Sequence, residues 1–271
     1  RKRLLSYFYV AVGIIAIAVL LALLGVFDID PVIFASSYAY FLVIVAGLYF
    51  LYLFLLAGLN PSEKKNLLLL FFLFIGAAAF WSGFDQSGGS LTIFARDFTD
   101  LNLLGFELPI SWMNLANPIF VVIFAPVFAG IWTNLAIRNL DPSLPMKFAI
   151  GLLFMCLSFI LMVYAVNAAM QYGQVGIQWL LITYLLHTWG ELALSPIGLS
   201  AFSRYAPKKY AGQMFGLWFT ASAIGGVLAG LIVVALAGWV ARSSHLKEDT
   251  SLAAFYLISL ALGVLVISIK K

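Results

Sequence analysis

The run HTWGELALSP, His187 to Pro196, sets a carboxylate, Glu191, inside an otherwise apolar stretch. Residues four apart on a helix lie on one side, so His187, Glu191 and Ser195 share a face that joins an imidazole, an acid and a hydroxyl. Such a face can handle a solute or a proton, or the acid can be neutralised by a buried partner and hold helices together. A second face pairs Trp81 with Asp85 in FWSGFDQSGGS, where Gly and Ser loosen the chain after the acid. Asn117 stands directly before Pro118 in WMNLANPIFVVIFAPVFAG, a helix whose two prolines free backbone carbonyls and favour kinks. Trp81 and Trp218 fall inward of the zone where tryptophans normally anchor to headgroups, which leaves both pocket lining and packing open to them.

The elements that must position these residues follow from composition. With 64% hydrophobic and 10% charged residues, and a mean hydropathy of +1.06, the chain lies outside soluble globular usage and reads as a polytopic membrane protein. Eight apolar runs are long enough, at about 20 residues each, to cross a bilayer core as helices. They cover approximately 5–27, 32–58, 67–85, 110–137, 148–170, 177–203, 210–240 and 252–269. Runs of this length exclude a transmembrane barrel, whose strands are about ten residues of alternating polarity. The fold class is all-α.

Lys and Arg close to span ends are retained on the cytoplasmic side. Alternate loops separate them: Arg1, Lys2, Arg3, Lys64, Lys65, Arg138, Lys147, Arg204, Lys208, Lys209, Lys270 and Lys271 fall on one face, and Arg96, Arg242 and Lys247 on the other. Both ends of the chain are therefore expected in the cytoplasm. Short basic clusters beside spans act as orientation signals, so no nucleic-acid partner is expected. The chain opens with RKRLL directly before a full-length span, an opening that reads as a fragment without a cleavable signal peptide.

A lone Cys156 offers neither a disulfide framework nor a Cys-based metal cluster, and no P-loop, dinucleotide turn or HExxH pair is found. The first two spans carry no acid, base, Asn or Gln within the membrane, whereas everything polar at depth begins after GLNPSEKKN, Gly58 to Asn66. Residues 1–59 thus read as an accessory transmembrane hairpin and 60–271 as a functional six-helix bundle. A charge at bilayer depth costs several kcal/mol and persists only where it faces protein or water, which makes Glu191 the first candidate for function.

Four stretches carry a resemblance. FWSGFDQSGGSL, NPIFVVIFAPVFA, GELALSPIGLS and GLWF, in this order, resemble the proton-dependent oligopeptide transporter family of the major facilitator superfamily. The resemblance covers 67–269 as what would be transmembrane helices 7 to 12, a C-terminal six-helix bundle, with the preceding hairpin similar to the two helices that bacterial members insert between their halves. It implies a proton-coupled symporter of di- and tripeptides in the inner membrane, not an enzyme, with the proton as coupling ion and no other cofactor or metal. By the same resemblance Glu191 meets the peptide amino terminus and pairs with a cation from the other half. Ser195 lies one turn along in the same site, Asn117 is near the peptide, Trp81 and Trp218 are pocket aromatics, and Asp85 belongs to outer gating and proton coupling. The family's helix-1 and helix-4 motifs have no counterpart here and would belong to an N-terminal half. The fragment alone is then not expected to transport.

Protonation of Glu191 would release a salt bridge to that cation and alter which face of the cavity is open. Rival readings are a family member that moves nitrate or a peptide-like drug, a non-transporting structural subunit, and an intramembrane enzyme with Asp85 and Glu191 as its carboxylate pair. An anionic substrate is disfavoured beside Glu191, and the enzyme lacks a nucleophile or metal-ligand partner.

Overall fold

The structure is a computed structural model that describes residues 31–243, Leu104 excepted, together with Gly13. The expected spans 5–27 and 252–269 lie outside those residues. The chain parts into two units between Phe41 and Leu42.

The architecture is mostly helical. The principal helices are α1 (Pro31–Leu55), α2 (Pro61–Phe84), α3 (Ser90–Phe98), α4 (Ala116–Ile137), α5 (Leu144–Tyr172), α6 (Gln178–Arg204) and α7 (Ala211–Ser243). Four helical segments among the described residues are long and apolar enough to cross a membrane: Pro61–Phe98, Ile110–Ile137, Leu144–Tyr172 and Lys208–Gly230. α6 carries His187, Glu191 and several small polar residues, which lower its hydropathy below that of the others.

Local chemistry explains the helix ends. At the start of α2, the Asn60 side chain accepts from the Glu63 amide at 2.9 Å, while the Glu63 carboxylate accepts from the Asn60 amide at 3.0 Å. This capping box, with Pro61 at the first helical position, satisfies amides that no helical carbonyl can reach. α5 stops at Gly173, whose φ of 83° suits a residue without Cβ and lets its N–H donate back to the Ala169 carbonyl.

Two sequence expectations are revised here. The Gly-Ser stretch after Asp85 is a single 3-10 turn, Asp85–Ser87, followed by the short helix α3, which the sequence analysis passes over. α3 buries Leu91, Phe94 and Ala95 against Met113, Met162, Leu180 and Tyr184, forming a second core at the end of the bundle that carries Asp85. Pro118 lies in the first turn of α4, where a missing N–H removes no intrahelical bond, so only Pro126 interrupts the ladder inside that helix.

The all-α expectation needs a small qualification. Strand pairs of two residues each decorate the loops: β1 (Thr99–Asp100) runs parallel to β4 (Val175–Gly176). β2 (Asn102–Leu103) pairs antiparallel with β3 (Phe106–Glu107).

Glycines set the closest helix crossings. Gly151 on α5 and Gly190 on α6 face each other so tightly that a Cβ on either would lie 2.9 Å from the other's carbonyl oxygen. A Cβ on Gly225 of α7 would meet the Ala78 carbonyl at 2.7 Å and the Ser82 amide nitrogen at 2.9 Å on α2. Outward faces are apolar: Ile119, Val122, Ile123, Val127 and Ile131 of α4 are all exposed, as suits lipid or another helical body rather than water.

Candidate functional site

Glu191 follows Gly190, so the tightest α5–α6 crossing fixes its height on α6. Asn117, in the first turn of α4, reaches it: Asn117 Nδ2 donates to Glu191 Oε2 at 3.0 Å and to Thr188 Oγ1 at 3.0 Å. Thr188 is fully buried, and its hydroxyl donates to the Tyr184 carbonyl at 2.8 Å. The carboxylate is thus half-buried and hydrogen-bonded but has no ion-pair partner among the described residues, where the pairs are Arg96–Asp97 and Lys147–Asp141.

The other two members of the Glu191 face are buried polar groups. His187 is 0% exposed, with its ring among Phe159, Phe84 and Tyr184. Among the described residues neither of its nitrogens has a hydrogen-bond partner, and the same holds for Ser195 Oγ and the indole nitrogens of Trp81 and Trp189. Trp189 sits in an aromatic enclosure of Phe124, Phe128 and Phe154.

Trp81 and Asp85 share the face of α2 that meets α7. Trp81 packs against Gly225, and the Asp85 carboxylate lies against Gly226, where any side chain would displace it. Asp85 is exposed at the C-cap of α2. Trp218 occupies a different place: it is 5% exposed, stacked edge-on to Phe148 and tilted against Phe202, with its ring over Gly198. It belongs to the helical core and not to an open wall.

The structure therefore joins Asn117 to Glu191, sets Trp81 with Asp85 against α7, and leaves Trp218 in the packing. Sequence reasoning misses Thr188, although it lies three residues before Glu191 and so on the same helical face. A cleft of about 530 Å³ lined by Arg96, Asp100, Asn102 and Glu107 lies among the loops and contains none of these residues. Among the described residues no cluster of His, Cys, Asp and Glu is arranged to hold a metal ion.

An acid and an amide thus meet on facing apolar helices, with no ion-pair partner for the acid among the described residues. The POT family profile matches residues 43–252, and the chain belongs to that family. It is 40% identical to the peptide transporter YePEPT of Yersinia enterocolitica over 237 residues, covering 86% of this chain and 44% of that protein. It is 27% identical to a di-/tripeptide transporter of Lactococcus lactis subsp. cremoris, covering 97% of this chain and 53% of that protein. A crystal structure of a POT peptide transporter in complex with sulfate superimposes with a TM-score of 0.74 at 30% identity, covering 99% of this chain and 53% of that one. The chain spans about half the length of these relatives, which are transporters and not enzymes.

Proposed function

We propose that this chain is the C-terminal half of a proton-coupled symporter that imports di- and tripeptides by alternating access. In this reading residues 60–271 form the six-helix bundle and 1–59 a transmembrane hairpin, giving eight crossings. An N-terminal six-helix half of the same protein completes the transporter in the inner membrane, with both ends of the present chain cytoplasmic. The peptide-transporter names of the relatives and their doubled length support it.

The observation that carries the proposal is the Asn117–Glu191 hydrogen bond. A neutral amide steadies the carboxylate without cancelling its charge, so the charge stays available to a substrate ammonium. Substrate entry supplies the missing cation; protonation of Glu191 removes the need for one. A proton and a substrate amine, together with a cation from the N-terminal half, thereby act on one carboxylate, which links proton movement to peptide movement.

Trp81 and Ser195 are assigned to the substrate site by resemblance to the family, and Trp218, 5% exposed, stays in the packing between Phe148 and Phe202. Asp85, at the outer end of α2 and against Gly226, senses the separation of α2 and α7 and takes part in gating and proton coupling. The cation for the peptide carboxylate comes from the other half.

Uptake of labelled dialanine into proteoliposomes holding the full-length transporter tests the proposal. Accumulation under an inward proton gradient, abolished by a protonophore, is the expected result. Uptake that ignores the gradient would remove the coupling, and absence of dialanine uptake would remove the peptide.

A further inference from the structure

Thr188 gives the hydrogen bonds at this site their direction. A hydroxyl has one hydrogen, and that of Thr188 goes to the Tyr184 carbonyl at 2.8 Å. Toward Asn117 it offers only lone pairs. An ionised Glu191 likewise offers only lone pairs. The Asn117 amide thus faces two acceptors, each 3.0 Å from Nδ2, and both amide hydrogens are spent on them.

The reversed amide would set its oxygen against both acceptors and lose both hydrogen bonds. Thr188 is 0% exposed, so water does not compete for its lone pair. With Nδ2 turned inward, the polar atoms left over are Asn117 Oδ1 and Glu191 Oε1. Neither has a hydrogen-bond partner among the described residues, and neither belongs to the buried unpartnered atoms, so both remain accessible.

We infer that Thr188 is a positioning residue that sets the polarity of recognition: by locking the Asn117 amide, it makes the site present two acceptors and read substrate N–H donors. The inference rests on the proposed reading of Asn117 and Glu191 as a substrate site. Thr188 itself does not touch the substrate. A free ammonium satisfies both oxygens; an acylated amine brings a carbonyl to the same place and offers fewer hydrogens.

Two measurements on the full-length protein in lipid bilayers test this, each with Thr188→Val and Thr188→Ser. The first reads the lock without substrate, as the dipolar coupling between the Asn117 side-chain ¹⁵N and the Glu191 carboxyl ¹³C in solid-state NMR. The coupling is expected in the wild type and in Thr188→Ser, and reduced in Thr188→Val, where Glu191 alone holds the amide. A coupling absent from the wild type, or unchanged in Thr188→Val, overturns the lock.

The second compares competition by dialanine and by N-acetyl-dialanine against labelled dialanine, on matched amounts of folded protein. The preference for the free amine is expected to fall about tenfold in Thr188→Val, the order of one hydrogen bond to a charged group, and to persist in Thr188→Ser. An unchanged preference in Thr188→Val, or an equal loss in Thr188→Ser, overturns the role in recognition. A wild type that binds no dialanine would sink the peptide reading instead, while the NMR coupling still decides the lock.

Discussion

Asn117 and Glu191 stand 74 positions apart in the chain and 3.0 Å apart in space, joined by a hydrogen bond from the Asn117 amide to the Glu191 carboxylate. The contact joins the first turn of α4 to the middle of α6, directly beside the Gly151–Gly190 crossing that sets α6 against α5. An acid held this way is oriented by a neutral partner that brings no opposite charge. That combination is what a site needs if protons and substrate amines are to compete for it.

The close approach of α2 and α7 should fail when its glycine is filled. Gly225→Ala places a Cβ 2.6 Å from Trp81 Cβ and as tightly against two backbone atoms of α2, none of which can step aside. A loss of about 1–3 kcal/mol is expected, as for overpacking elsewhere. Gly47→Ala, in open space on α1, is the control and should be neutral or slightly stabilising. Thermal unfolding of the two variants in detergent gives the comparison; equal midpoints would show that the crossing tolerates separation.

Trp218→Ala should behave as a core truncation. With the ring between Phe148 and Phe202 and only 5% exposed, removing it costs about 3–5 kcal/mol. The melting temperature should fall sharply, whereas peptide affinity per folded molecule should change little. Intact stability with weakened affinity would instead return Trp218 to the pocket surface.

The distribution of Lys and Arg gives an orientation that labelling can check. A cysteine at Ser87, between α2 and α3, should react with impermeant thiol reagents from outside intact cells, and one at Ser62, in the first turn of α2, should not. Labelling at Ser62 alone would invert the topology.

Much of this organisation is legible in the chain because it rests on local or compositional physics. Length and hydropathy mark α2, α4 and α5, and the expected 177–203 span is α6 to within a residue at each end. α3 is not legible: at nine residues it is short, and the glycines before it read as a break when they are only a turn. Trp218 and Trp81 show another limit. An aromatic inward of the headgroups satisfies a pocket and a core equally well on composition, and the difference lies in Phe148, Phe202 and Gly198, which arrive from other helices.

Glu191 stands out in sequence because a charge is rare in an apolar run, and Asn117 because an amide precedes a proline. Their contact is tertiary and has no local signature. Thr188 is hidden for the opposite reason: a threonine in a membrane helix ordinarily bonds its own backbone, as this one does with Tyr184, and only the arrival of Asn117 gives its lone pair a use.

The coupling role of Glu191 is tested most directly by Glu191→Gln in the full-length transporter, reconstituted at matched folded amounts. The amide keeps a carbonyl that can accept from Asn117 but can neither gain nor lose a proton at neutral pH. Dialanine accumulation under an imposed inward proton gradient should collapse, while exchange of labelled for unlabelled dialanine, which needs no net proton flow, survives. Accumulation at the wild-type level in Glu191→Gln would contradict the account.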